Sequence, residues 1–224
     1  MFKKGLRFLL RVVYKPLLEF YLRKRRPFFY KELRLEIEPD VFHPGFFFSS
    51  KVMLRFLDTL NLKNKKVLEL GSGSGILSLY CAKQGANVTA CDISKKAVNN
   101  TIKNRDLNGL EMKVNHSDLF SSIPPQLFDI LLINPPYYKK NPRSEAEHAW
   151  YCGENGEYFE KLFSGLNAYT QQNSVVYMVL SDGVDLAMIQ NFAGKQNFIT
   201  KVVYSEHNIV EQVFVLSICV KKTI

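Results

Sequence analysis

The chain has 224 residues, 30 basic and 21 acidic side chains and a formal charge of +9, with 46% apolar and 13% aromatic residues. That composition excludes an intrinsically disordered chain and suits one domain with a short appendage. The charge is not evenly spread: eleven of the basic and two of the acidic side chains lie in residues 1–34, so that segment carries the whole excess and the other 190 residues are neutral. Cys81, Cys91, Cys152 and Cys219 show no CxxC spacing, and the four histidines show no metal-ligand spacing. Reduced thiols, a cytoplasmic location and no metal site are therefore expected. No run of about eighteen uncharged apolar residues is present to span a membrane, and Arg7, Arg11 and Lys15 interrupt any signal-peptide core.

In chain order, Leu6, Leu9, Leu10, Val13 and Leu17 fall at helical spacing, with Arg7, Arg11 and Lys15 on another face. Pro16 kinks or restarts this helix and the Arg-Arg-Pro at 25–27 ends it. A basic amphipathic segment of this kind can contact RNA or ribosome phosphate or an anionic membrane surface, or simply pack its apolar face on the body. Residues 1–34 are read as this extension and 35–224 as the main domain. Leu33, Leu35 and Ile37 alternate with charged residues as in a strand. After the turns at Pro39-Asp40 and His43-Pro44-Gly45, Ser49 or Ser50 is placed to cap a helix carrying Val52, Met53, Phe56, Leu57 and Leu60.

From residue 66 onward strand-length apolar runs (67–70, 88–91, 112–115, 130–133, 175–180) alternate with helical stretches (about 76–84, 94–107, 156–170, 184–194). This predicts an α/β domain with a mostly parallel, doubly wound sheet, whose ligands sit at the carboxyl ends of strands. Three such ends carry chemistry. The first strand runs through Glu69 into Gly71-Ser72-Gly73-Ser74-Gly75, a loop that lets a ligand approach the backbone. Ile76 stands where a dinucleotide fingerprint needs a small residue, which weakens a nicotinamide reading. The second ends at Asp92-Ile93, where a carboxylate is placed for ribose hydroxyls or for capping the next helix. The third ends at Asp118-Leu119-Phe120. Glu69, Asp92 and Asp118 thus converge on one rim, which suits a cofactor with a free ribose, an amino group and a cationic centre better than a pyrophosphate.

The fourth strand runs into Asn134-Pro135-Pro136-Tyr137. Two prolines stiffen the loop, so that the carbonyl oxygens at Asn134 and Pro135 can accept both hydrogens of a planar NH2 group while Tyr137 stacks on it. Holding both N–H bonds localises a resonance-delocalised lone pair and aims it at an electrophile.

In this order Glu69–Gly75, Asp92, Asp118-Leu119-Phe120 and Asn134-Pro135-Pro136-Tyr137 resemble the class I S-adenosylmethionine-dependent methyltransferases that modify planar nitrogens. The stretch 147–156 (Glu-His-Ala-Trp-Tyr-Cys-Gly-Glu-Asn-Gly) is similar to the segment that follows this motif in compact HemK-type protein-glutamine methyltransferases, of the methyltransferase small-domain superfamily. The resemblance implies a seven-stranded sheet with its last strand antiparallel near 212–220. It also implies a glycine loop (Gly71, Gly73, Gly75) around the methionine moiety, Glu69 on the amine side, Asp92 and Ile93 at the ribose, and Asp118 and Leu119 at the adenine. The implied reaction gives S-adenosylhomocysteine, with a glutamine amide in a translation factor as substrate. Methylation of an rRNA or tRNA base amine (adenine N6 or guanine N2) is the second reading, and a catalytically silent binding module the third. The apolar segment Pro44–Ser49 and the basic extension depart from the family pattern, both on the substrate side.

Overall fold

The computed structural model describes residues 20–222. The apolar and basic spacing read between Leu6 and Leu17 lies outside the described residues. The chain begins with an antiparallel hairpin, β1 (Arg26–Tyr30) and β2 (Leu33–Ile37). Leu33, Leu35 and Ile37 are buried, as their alternation requires, and the boundary drawn after residue 34 falls inside this hairpin. A short 3-10 turn (Pro44–Phe46) follows, then α1 (Phe48–Leu57). Neither serine caps this helix: Phe47 holds the N-cap position without a side-chain bond, and Leu60 lies beyond the last turn. Helix formation starts at Phe48, whose ring packs against the core.

The remaining elements are β3 (Lys66–Leu70), α2 (Ile76–Lys83), β4 (Asn87–Asp92), α3 (Lys95–Leu107), β5 (Lys113–His116), β6 (Ile130–Ile133), α4 (Glu157–Leu166), β7 (Val175–Ser181), α5 (Leu186–Lys195), β8 (Phe198–His207) and β9 (Gln212–Val220). The seven-stranded sheet has the order β5-β4-β3-β6-β7-β9-β8, with only β9 antiparallel to the rest. Strands β3 and β6 are apolar on both sides because helices cover both faces. Val67, Ile130 and Leu132 join the core beneath α1 and α2, while Leu68, Leu70, Leu131 and Ile133 join the core beneath α4 and α5. Strand β8, which the sequence reading left unassigned, forms the exposed sheet edge, and only Phe198 of its ten residues is buried.

The helix α3 docks the hairpin through a row of asparagines. Asn100, Asn104 and Asn108 recur every four residues on the helix, and Glu38, Glu36 and Arg34 every two on or just past β2. Asn108, Asn104 and Asn100 accept the backbone N–H of Arg34, Glu36 and Glu38 at 3.0, 2.8 and 3.2 Å. The match is geometric: four helical residues advance about 6.0 Å and two strand residues about 6.6 Å.

Candidate active site

Strand order reverses between β3 and β6, so a crevice opens beyond their carboxyl ends. The parallel register pairs Leu70 with Ile133. Gly71 and Asn134, the next residues of each strand, therefore leave the sheet side by side. The register of β4 and β5 sets Asp92 opposite His116, which brings the Asp118 turn to the same rim. A cleft of about 400 Å³ results, bordered by Glu69, Gly71, Gly73, Asp92, Ile93, Asp118, Leu119 and all four residues of Asn134–Tyr137.

The glycine loop is built for close approach. Gly71 has φ +76°, and a Cβ there would meet nothing within 4 Å, so its backbone faces open space. Gly75 has φ +84° and a Cβ would lie 2.8 Å from Thr101 Cγ2, which leaves room for glycine alone. Thr101 Oγ1 donates to the Gly73 carbonyl at 3.1 Å, and the fully buried Asn104 donates to the Ser74 carbonyl at 3.0 Å. The amide of Asn104 thus holds β2 with its oxygen and the glycine loop with its nitrogen.

Glu69 is 3% exposed and accepts from both the backbone N–H and the hydroxyl of Ser78 in the first turn of α2. Burial pushes its carboxyl up to about 8 against those two bonds. Asp92 accepts from Gly73 N at 2.8 Å with one oxygen and from Ser94 N at 2.9 Å with the other. Burial outweighs these bonds and raises its pKa as well. The capping role open to Asp92 belongs instead to Ser94, which accepts from Ala97 N at the start of α3. Each Asp92 oxygen keeps a second lone pair for a hydroxyl donor. Asp118, by contrast, is half-exposed and pairs with Lys161. Leu119 adopts φ +51°, a left-handed conformation costly for a branched side chain. Ser117 Oγ holds it there by donating to the Leu119 carbonyl at 2.8 Å.

At the other wall Pro135 is buried and Asn134 half-buried. The Tyr137 hydroxyl accepts from Ser181 Oγ at 3.2 Å, and burial pushes its phenol up to about 12, so it stays protonated at neutral pH. Tyr138 N–H donates to the Trp150 carbonyl at 3.0 Å, which folds residues 138–153 back beside the cleft. Trp150 is 38% exposed and meets Phe47 at 5.2 Å and Phe42 at 5.9 Å between ring centroids. The two phenylalanines stack at 4.1 Å, so the apolar departure at 44–49 supplies part of an aromatic wall of the cleft. Lys139 pairs with Asp185, and Lys140 lies 4.5 Å over the Tyr151 ring and 3.9 Å from Glu147.

The structure adds residues the sequence reading missed: Phe42, Ser117, Tyr158 and Lys161 all border the cleft. Tyr158 and Lys161 sit three apart at the start of α4. A sequence signal existed only in their helical spacing after Gly156. The cleft fits S-adenosylmethionine on three counts: a glycine loop open at Gly71, an acceptor pair on Asp92 and a buried carboxyl at Glu69 that a nearby cationic amine would favour in its ionised form.

The profile of the methyltransferase small domain family matches residues 32–150. A Methanocaldococcus jannaschii protein, provisionally named a protein N5-glutamine methyltransferase, is 32% identical over 66% of this chain and 76% of its own length. A ribosomal RNA small subunit methyltransferase C from Alcanivorax borkumensis is 32% identical over 50% of this chain, which spans only 36% of that relative. Among solved structures, a T. thermophilus 16S rRNA N2 methyltransferase in complex with AdoMet and guanosine superposes with a TM-score of 0.64 at 21% identity, over 89% of this chain and 51% of that one. At that identity the likeness is one of fold.

Proposed function

This chain belongs to the methyltransferase small domain family and is an S-adenosylmethionine-dependent methyltransferase, and on that premise we propose that it methylates a planar nitrogen, the side-chain amide of a glutamine in a protein substrate such as a translation factor. The observation that carries this reading is the register of Leu70 with Ile133, which sets the Asn134–Tyr137 loop directly beside the glycine loop. When bound, S-adenosylmethionine supplies an electrophilic methyl group on a sulfonium sulfur. Asp92 accepts from the ribose hydroxyls, with Ile93 beside it. Gly71 and Gly73 keep the backbone open to the methionine moiety, Gly75 lets the loop turn tightly against Thr101 behind them, and Glu69 faces the amine. Asp118 and Leu119 border the adenine end.

The chain's own contribution to transfer is orientation. The side-chain carbonyl oxygen of Asn134 and the backbone carbonyl oxygen of Pro135 accept the two N–H bonds of the target amide, and Pro136 keeps the loop from yielding. Fixing both hydrogens sets the nitrogen lone pair along the direction of attack. Tyr137 contributes a ring face, not a base, because its phenol is pushed up to about 12.

An uncharged peptide amide is favoured by the charge around the cleft. Asp40, Asp92, Asp118, Glu145 and Glu157 border it against the single cation Lys161, and Lys139 and Lys140 are engaged by neighbouring side chains. The name of the M. jannaschii relative supports the same substrate. The second reading, an rRNA or tRNA base amine (adenine N6 or guanine N2), draws on the aromatic wall of Phe42, Phe47 and Trp150, against which a base can stack. Radiolabelled methyl transfer into cell extract decides between them: label removed by protease and not by nuclease is expected, and the converse overturns the glutamine reading. Asn134→Ala should abolish transfer and leave cofactor affinity within about twofold, since it removes an orienting acceptor. An equal loss of both would sink its assigned role.

A further inference from the structure

Residues 20–34 present a surface that the methyl-transfer site does not use. Phe20 and Phe29 are 71% and 63% exposed. On the hairpin Phe29 pairs with Arg34 in register, and both point away from the core that Leu33 and Leu35 enter. The asparagine row holds the hairpin from α3, so Phe29 is not needed to seat it. Arg23, Lys24 and Arg34 are exposed and form no ion pair among the described residues. The neighbouring sequence has the same chemistry, with Lys3, Lys4, Arg7, Arg11 and Lys15 set among Leu6, Leu9, Leu10, Leu17 and Leu18, while the body is neutral.

We propose that this surface docks the enzyme on an anionic lipid bilayer, with Phe20 and Phe29 in the headgroup layer and Arg23, Lys24 and Arg34 against lipid phosphates. Charge complementarity favours an anionic partner, and the leucines that accompany the phenylalanines in the neighbouring sequence favour lipid over nucleic acid. Bases stack on rings and gain little from leucine, whereas interfacial segments bury leucine and phenylalanine together beneath a cationic face. The proposed attachment is peripheral; no described helix is long and apolar enough to cross a membrane. It is independent of which nitrogen is methylated.

The test is co-sedimentation of the full chain with extruded vesicles of phosphatidylcholine alone and of phosphatidylcholine mixed with phosphatidylserine. Binding to the mixed vesicles and little to the neutral ones is expected. Each of Arg23→Gln, Lys24→Gln and Arg34→Gln should weaken it about fivefold, from the attraction of one basic residue to an anionic surface. Phe20→Ser with Phe29→Ser should weaken it about tenfold or more. All these variants should keep the wild-type melting temperature and methyl transfer to a minimal substrate. Equal sedimentation with both vesicle types, no sedimentation with either, or indifference to the phenylalanine changes overturns the proposal. So does a single-stranded RNA oligonucleotide that the chain retains while vesicles are left free.

Discussion

Replacing Asn104 should damage two sites of the fold at once. Its amide oxygen accepts from Glu36 N at 2.8 Å and its nitrogen donates to the Ser74 carbonyl at 3.0 Å, with the side chain fully buried. Asn104→Ala leaves both backbone groups without their side-chain partner, the Ser74 carbonyl in a buried site and the Glu36 N–H in a partly buried one. An orphaned buried polar group costs about 1–3 kcal/mol, so with partial relaxation the pair should cost about 2–4 kcal/mol of stability. Asn100→Ala is the control. Asn100 is equally buried but bonds Glu38 N and the Glu36 carbonyl, both on or next to β2. It should lower stability by a similar amount without touching the glycine loop. Denaturant unfolding gives the first quantity and calorimetric titration with S-adenosylmethionine the second. Asn104→Ala should weaken cofactor binding by about fivefold or more, roughly the worth of one hydrogen bond, and Asn100→Ala by less than twofold. Equal effects of the two variants on cofactor affinity would refute the idea that Asn104 links hairpin to loop.

Asp92→Ala should weaken S-adenosylmethionine binding by about ten- to a hundredfold, from the loss of hydrogen bonds to a charged acceptor; unchanged affinity in the calorimeter overturns the ribose assignment. Glu69 gives a pH signature. Its folded carboxyl is raised to about 8 from 4.5, so the folded state keeps a proton that the unfolded chain releases. Stability of the cofactor-free protein should therefore fall as pH rises through that window and level off outside it. The wild-type denaturation midpoint measured against Glu69→Gln checks this, and parallel curves for the two would count against it. Tyr137→Phe removes the hydroxyl that accepts from Ser181 but keeps the ring and should reduce transfer by less than about fivefold, whereas Tyr137→Ala removes the ring and should cost far more. Similar rates for the two variants would show that the ring face contributes nothing.

Much of the fold was legible because strands and helices here bury apolar side chains at regular spacing. Strands Lys66–Leu70 and Ile130–Ile133 cover the apolar runs at 67–70 and 130–133, and Gln212–Val220 lies where the family resemblance, not any spacing, implied a last antiparallel strand. Strand β8 was not legible, since an edge strand with one buried residue in ten carries no burial rhythm. The asparagine row was hidden for another reason. Polar residues every four positions read as a solvated helix face, and only the approach of β2 turns them into a docking seam. The expected residues other than Gly75, which packs against Thr101 outside the cleft, border one cleft because strand ends are fixed by register. Phe42, Tyr158 and Lys161 come from other segments brought in by topology, and the helical spacing of the last two after Gly156 does not by itself aim them at the cleft.

Trp150 is the only tryptophan of the chain and sits partly exposed at the rim of the cleft, against Phe42 and Phe47. The molecule therefore carries its own optical reporter: emission excited at the indole comes from one place, the mouth through which cofactor and acceptor must pass. Quenching by added peptides, nucleosides or oligonucleotides can rank candidate acceptors on the unlabelled, unmodified protein, before any methyl group is transferred.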